Sequence, residues 1–250
     1  MILAIETATD VCGAAVVHRG RVVAHRSISE KNIHSEKLLS MVNEVLLDAA
    51  LLLKDVDAIA VSIGPGSFTG LRIGLSTAKG LAMARQKAII AVPTLDALAY
   101  EYFRSHSKNS AGIVCPLIDA KRDEVYCCFY EVSAAGINRR SEYSIESITK
   151  VGERAAKYDF VAFVGDGTRK MEKMPGLKVN HRYIPEIICN PVSVGIIAEK
   201  EGKRLSAEVI STLEPLYIRD FVTTRPGRKH DLRSYSLPAT PQTSAHSFKG

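Results

Sequence analysis

At 250 residues, with 46% hydrophobic and 24% charged residues, the chain has the length for a sizeable core and the composition of an ordinary soluble globular protein. No apolar run approaches the length of a membrane span, and the N-terminus, Met1-Ile2-Leu3-Ala4-Ile5-Glu6, lacks the basic region of a signal peptide. Membrane insertion and secretion are therefore not expected, and the cytoplasm is the expected location. The net charge of +6 is uneven: the last thirty residues hold Arg225, Arg228, Lys229, Arg233 and Lys249 against Asp231, a balance of +4, which leaves +2 for the first 220.

Three strands open the chain, at residues 2–7, 12–18 and 21–28, with Arg19-Gly20 as a tight turn between the second and third. A helix is expected over 34–53. Placed at 100° steps, Leu38, Leu39, Met41, Val42, Val45, Leu46, Ala49, Ala50, Leu52 and Leu53 cover about half its circumference, more than the stripe of about 100° that a one-sided helix needs. Leu47 and Leu51 lie outside even that broad arc. Two readings stand, a deeply buried core helix or a helix that serves both its own core and a partner. His34 opens this helix.

A buried strand at 57–63 then feeds Gly64-Pro65-Gly66-Ser67-Phe68-Thr69-Gly70-Leu71-Arg72-Ile73-Gly74 and a helix over 69–86. Gly70, Gly74, Ala78 and Ala82 recur every fourth residue, so another backbone can approach that face closely. The junction itself has two readings. Gly66, Ser67 and Thr69 could offer amides to an anion or nucleotide, with Ser67 or Thr69 as helix cap. Alternatively, the glycines serve a tight turn and close packing.

A strand at 88–92 stops at Pro93, Thr94 caps a helix to about 104, and the polar stretch 105–110 is a linker. The second half repeats the plan. Strands at 113–118 and 124–132 flank the loop Asp119-Ala120-Lys121-Arg122-Asp123, and a third runs near 139–144. Helix 146–157, strand 160–164, the turn Gly165-Asp166-Gly167-Thr168 and a helix near 192–204 follow. Two duplicated α/β domains are predicted, at 1–105 and 106–220, although no residue-level repeat is visible. Residues 221–250 form a basic tail, with Pro226, Pro238 and Pro241 among polar residues. Little apolar content is available there to offset ordering entropy, so disorder is expected from 226 onward.

Metal and phosphate chemistry find little support. The seven histidines show no HxxxH or HExxH spacing. The five cysteines sit mostly in apolar runs and read as buried thiols. Phosphate loops use glycines so that bare amides can approach, but Glu6-Thr7-Ala8-Thr9-Asp10 and the loop 119–123 contain none, and both carry carboxylates. Neither a metal nor an intrinsic cofactor is expected.

Four segments, 2–9, 64–74, 119–126 and Glu214-Pro215-Leu216-Tyr217-Ile218-Arg219, occur in an order that closely resembles the TsaB family, also called YeaZ. The resemblance covers residues 1 to about 220. It implies two actin-like (ASKHA, RNase H-like) domains, each a mixed sheet flanked by helices. It also implies a non-catalytic subunit in the formation of threonylcarbamoyladenosine (t6A) beside the tRNA anticodon.

In that family the partners are the related catalytic subunit TsaD, which carries a metal, and the ATPase TsaE. The chain alone is expected to form a homodimer, and tRNA is met through the complex. The catalytic relative has a histidine pair on the helix after its fifth strand, whereas the matching stretch here, 92–100, has none. The family usually has Asp at the place of Glu6 and Arg at the place of Lys121.

The expected partner interface is His34, Leu38, Met41, Val42, Val45, Gly70, Gly74, Ala78 and Leu81, and a nucleotide at that interface is left open. The competing readings are a free-standing nucleotide phosphotransferase and a protease acting on its partner.

Overall fold

The computed structural model describes residues 1–30, 33–106, 112–172 and 180–218. Strands β1 (Ile2–Glu6), β2 (Val11–His18) and β3 (Arg21–Ser29) form an antiparallel meander. It turns through Arg19 and Gly20, both at positive φ (51° and 71°). β4 (Ala58–Gly64) and β5 (Ala88–Pro93) lie parallel to β1, giving the order β5-β4-β1-β2-β3. β1 and β4 are buried throughout, which is why both read as unbroken apolar runs. β3 is the outer strand and is mostly exposed.

Helix α1 (His34–Asp48) lies on β2 and β3, and α2 (Phe68–Arg85) lies on β4. α1 stops five residues before the predicted end. Ala50 takes a left-handed conformation (φ 54°), its N–H donates to Leu47 O (2.9 Å), and the Leu51 N–H donates to Leu46 O (2.9 Å). That pair of bonds is a Schellman closure. α2 closes in the same way through Gln86 (φ 49°), with the Lys87 N–H on Ala82 O (2.9 Å). At its start, Ser67 Oγ accepts from the Gly70 N–H (3.2 Å), so of the two expected caps Ser67 is the one in place.

α3 (Thr94–His106) leads to a second sheet of β6 (Gly112–Asp119), β7 (Glu124–Cys127), β8 (Tyr130–Ser133), β9 (Gly136–Arg139), β10 (Ser144–Ser147), β11 (Val161–Val164) and β12 (Arg182–Ile184). Its main path, β10-β7-β6-β11-β12, repeats the first sheet's plan. The leading strand is central, an antiparallel arm lies on one side and parallel strands lie on the other. The predicted single strand 124–132 is split. β7 pairs with the end of β6, whereas β8 pairs with its beginning. At the break, the Phe129 N–H donates to Ser141 Oγ (2.9 Å) instead of to a ladder partner. The predicted third strand near 139–144 resolves into β9 and β10 on either side of residues 140–143.

α4 (Ile148–Ala155), capped by Ser147, and the short α5 (Thr168–Met171) cover this sheet, and the chain then crosses back. α6 (Pro191–Glu201) packs on β1 and β2, against Ala4 and Val17 at Gly195. β13 (Arg204–Leu205) pairs with β5, and α7 (Ala207–Thr212) reaches α2. The region read as the second unit thus also completes the first sheet. Between the two halves, buried Asp96 on α3 accepts the hydroxyls of Tyr130 (2.5 Å) and Tyr143 (2.8 Å). All five cysteines are buried and unbridged. The predicted disordered tail, from 226, and most of the linker, 107–110, lie outside the described residues.

Candidate functional site

The loop after β1 lies directly on the glycine junction. A Cβ on Gly66 would stand 2.0 Å from Ala8 O, one on Gly70 2.0 Å from Thr7 O, and one on Gly74 2.1 Å from Thr7 Oγ1. The Ser67 N–H donates to Ala8 O (2.7 Å), and Thr7 Oγ1 donates to Gly70 O (2.8 Å). Of the two readings of this junction, the geometry supports close packing. The backbone that approaches is the chain's own first loop, so the small-residue stripe has no room for a second molecule. Ala78 is likewise fully buried. Thr69 is exposed on the first turn of α2.

The loop is held from below as well. Glu6 is fully buried; its Oε1 accepts from the Ala8 N–H (2.8 Å) and its Oε2 from the Cys189 thiol (3.0 Å). Burial pushes the Glu6 carboxyl up, and the bonds from Cys189, Ser62 and the Ala8 and Thr9 amides offset this only in part. None of these partners is a cation. Burial and the nearby Glu6 also push the Cys12 thiol up to about 11. His34 Nε2 faces two carbonyls, Thr9 O (3.0 Å) and Val11 O (3.2 Å), so it must carry the proton and donate. His34 therefore fastens the loop from within the chain.

The equivalent loop of the second sheet differs. It turns through Lys121 and Arg122, both at positive φ (68° and 50°). Asp119 Oδ1 accepts from Lys170 Nζ (2.6 Å) and from the Lys121 N–H (2.6 Å). Partial burial pushes Asp119 up, but the Lys170 ammonium and the Lys121 amide outweigh it and hold the carboxyl below its ordinary range.

Next to it, the Asp119 N–H donates to Asp166 Oδ1 (3.1 Å). Asp166 is exposed as a residue, but its carboxyl is crowded by protein. That desolvation, with the charges of Asp119 and Asp10, pushes it up. Asp166 belongs to a tight turn: a Cβ on Gly165 would stand 2.4 Å from Leu117 O, and Thr168 Oγ1 donates to Gly165 O (2.8 Å).

The mouth between the loops thus brings Asp10, Asp119 and Asp166 together with Lys121 and Lys170, and the Ala8 amide is spent on Glu6. At the first loop an oligophosphate would meet no amide cradle, because the Ala8 amide is already bonded. Among the described residues, no group of three or more His, Cys, Asp or Glu could hold a metal ion.

The expected interface residues separate by burial. His34, Leu38, Val42, Val45, Gly70, Gly74 and Ala78 are buried in this chain's own core, each of the larger apolar side chains contributing about 1.5–3 kcal/mol to folding. Met41 and Leu81 are half-buried and reach the exterior. The most exposed large apolar side chains on these two helices are different ones: Leu39 and Leu47 on α1 (61% and 65% exposed) and Met83 on α2 (72%). For Leu47 the signal is present in the sequence, since it falls outside the broad apolar arc.

The family segment at 214–219 also joins the junction. The Leu216 N–H donates to Ile63 O (2.7 Å), and the Tyr217 ring lies 5.6 Å from Phe68.

Residues 21–214 match the family model for TsaD, tRNA N6-adenosine threonylcarbamoyltransferase. The tRNA threonylcarbamoyladenosine biosynthesis protein TsaB of Buchnera aphidicola (subsp. Schizaphis graminum) is 32% identical over 187 residues, which cover 74% of this chain and 87% of that protein. The protein of the same name from Escherichia coli is 40% identical over 136 residues, and the chain spans 57% of its length. The solved structure of YeaZ from Pseudomonas aeruginosa superposes with a TM-score of 0.73 at 29% identity, covering 86% of this chain and 98% of that one. With this likeness running through both actin-like sheets, the chain belongs to the TsaB (YeaZ) family.

Proposed function

We propose that this chain is a non-catalytic subunit in the formation of threonylcarbamoyladenosine in tRNA, pairing with the catalytic subunit TsaD and the ATPase TsaE. The observation that carries this reading is the filled loop after β1, where Glu6 and Ala8 occupy the space and amides a phosphate would need. On this reading the chain contributes a surface rather than a reacting group. Any nucleotide in the assembly then belongs to the TsaD interface, not to this chain's own cleft. The site of action is the cytoplasm, where tRNA is modified.

The surface we assign to the partner is the outer side of α1 and α2, which lie beside each other. Leu39, Leu47 and Met83 supply exposed apolar area, and Met41 and Leu81 on the same two helices are half-buried. Unpartnered, the same area favours a homodimer. Leu47→Arg with Met83→Arg changes only exposed positions, so the fold is expected to survive. Co-purification with TsaD should fall at least tenfold, and sedimentation should show loss of the homodimer. Undiminished pairing would remove this surface from the proposal.

The functional test is modification of an unmodified tRNA transcript by TsaD and TsaE with and without this chain. Product formation should require it. ATP turnover at an enzyme-like rate by the isolated chain, lost in Asp119→Asn, would favour the phosphotransferase reading instead.

A further inference from the structure

Away from the loops, α3, α6 and the turn between β8 and β9 enclose a pocket of about 260 Å³. Asp96, Tyr100 and Phe103 stand four and then three positions apart on α3, so they share one side of that helix. Ile137 of β9 and Ile197 of α6 extend the apolar wall, and the turn at 134–136 adds only small residues. The Tyr100 and Phe103 rings are 6.0 Å apart and tilted by 51°, an arrangement against which a third ring packs well. The two ionic groups in the lining lie at opposite extremes of exposure. Asp96 is 1% exposed, whereas Lys200 is an exposed residue.

The charges set what can enter. Asp96 Oδ1 accepts the hydroxyls of Tyr130 and Tyr143. Arg139, whose guanidinium lies 4.6 Å over the Tyr143 ring, is near enough for its charge to attract Asp96. Lys200 Nζ donates to the Tyr100 hydroxyl (3.2 Å) and lies 5.2 Å from the centre of that ring. Glu101 and Glu199, the other carboxylates nearby on these helices, are bonded elsewhere. Glu101 serves Arg104 and Ser193, and Glu199 serves the amides of Arg19 and Gly20. One carboxylate thus stands among two cations. A cationic ligand would be repelled, and a carboxylate at the Lys200 end would be attracted. At the Asp96 end the suitable group is a neutral O–H or N–H donor, the kind of group that Tyr130 and Tyr143 already bring; a carboxylate has about four acceptor sites.

We propose that this pocket binds a small single-ring organic acid with a neutral hydrogen-bond donor at its far end, of the hydroxyaryl carboxylate class. The ring lies among Tyr100, Phe103, Ile137 and Ile197, the donor faces Asp96, and the carboxylate meets Lys200. The size agrees, since a cavity of about 150 Å³ takes a benzene ring and this one leaves room for a short substituent at each end. The wall is drawn from the helix that links the two sheets, the helix that returns to the first, and a hairpin of the second. An occupant would therefore tie the halves of the molecule together.

The test titrates the full chain, isotope-labelled in its isoleucine methyl groups, with para-hydroxyphenylacetate, and separately with phenylacetate and para-cresol, which each lack one polar end. The Ile137 and Ile197 methyl resonances should shift, while that of Ile59, buried in β4, stays in place. Phenylacetate should bind at least about tenfold more weakly, through loss of the hydrogen bond to Asp96. Lys200→Met changes an exposed position, so the fold is expected to survive. It should weaken para-hydroxyphenylacetate by about two- to fivefold and leave para-cresol unchanged.

No movement of the Ile137 and Ile197 resonances at about 10 mM probe would overturn the proposal. So would equal affinity for phenylacetate, which would leave Asp96 without a part in recognition. Tighter binding of tyramine, which carries an ammonium in place of the carboxylate, would reverse the charge assigned to the Lys200 end and overturn it as well.

Discussion

The loops that follow the leading strand of each sheet occupy equivalent places and treat their carboxylates in opposite ways. After β1, Glu6 is sealed inside, bonded by an amide and a thiol, and its burial favours the neutral acid. After β6, Asp119 stays partly in water beside Lys170 and favours the charged form. The glycines divide in the same way. Those at Gly66, Gly70 and Gly74 exist because the first loop presses on them, whereas the second loop turns without glycine. Two copies of one plan have thus diverged into a plug and an open, charged turn.

The largest effect is expected from breaking the plug. Gly66→Val drives a side chain into Ala8 O and should cost about 4 kcal/mol or more, seen as loss of a cooperative urea transition at room temperature. Next is His34→Ala, which leaves the carbonyls of Thr9 and Val11 unpaired and should cost about 1–3 kcal/mol, with His34→Gln recovering part of it. An unchanged urea midpoint would show that the imidazole does not hold the loop.

The carboxylates should give pH limbs of opposite sign. Glu6 has a folded pKa above its ordinary 4.5, so its stabilisation is complete below that value and is lost as pH rises through the folded pKa. Glu6→Gln should remove this alkaline-side decline, measured as unfolding free energy from about pH 4 to pH 9. A decline that persists in the variant would belong to another group. Asp119 has a folded pKa below its ordinary 3.8, so its contribution is present above that value and is lost as pH falls through the folded pKa. Because Asp119 is partly solvated, Asp119→Asn should cost under about 1 kcal/mol at neutral pH and flatten only the acid limb. The smallest change is Gly80→Ala, where an added Cβ meets nothing within 4 Å. It should raise stability by about 0.5–1 kcal/mol.

Much of this was legible in the residues. The Arg19-Gly20 turn separated the second and third of the opening strands, and Ser67 was one of the two residues offered as the cap of α2. The end of α1 was not legible, because Ala50 adopts the left-handed position where glycine would have been the signal. Nor was the break at Phe129, whose amide is satisfied by the side chain of Ser141, twelve residues on. β12, β13 and α7 are only three, two and six residues long, too short for a period to emerge.

At the site, the glycine spacing correctly signalled a close approach but could not name what approached. Thr7 lies 63 positions from Gly70, and Cys189 lies 183 from Glu6. Periodicity also could not say which apolar residues of α1 faced inward. Leu38 and Leu39 look equivalent in composition and differ entirely in exposure.

The return of α6 to β1 and β2, with Leu216 bonded to Ile63, bears on how the molecule is made. During synthesis the opening strands emerge early, but the helix that covers one of their faces and the tether that closes the end of β4 come only after Asn190. The nascent N-terminal half therefore waits on the ribosome with apolar surface uncovered, and a transcript truncated before Pro191 should yield chaperone-bound or aggregated chains instead of a free-standing half-protein.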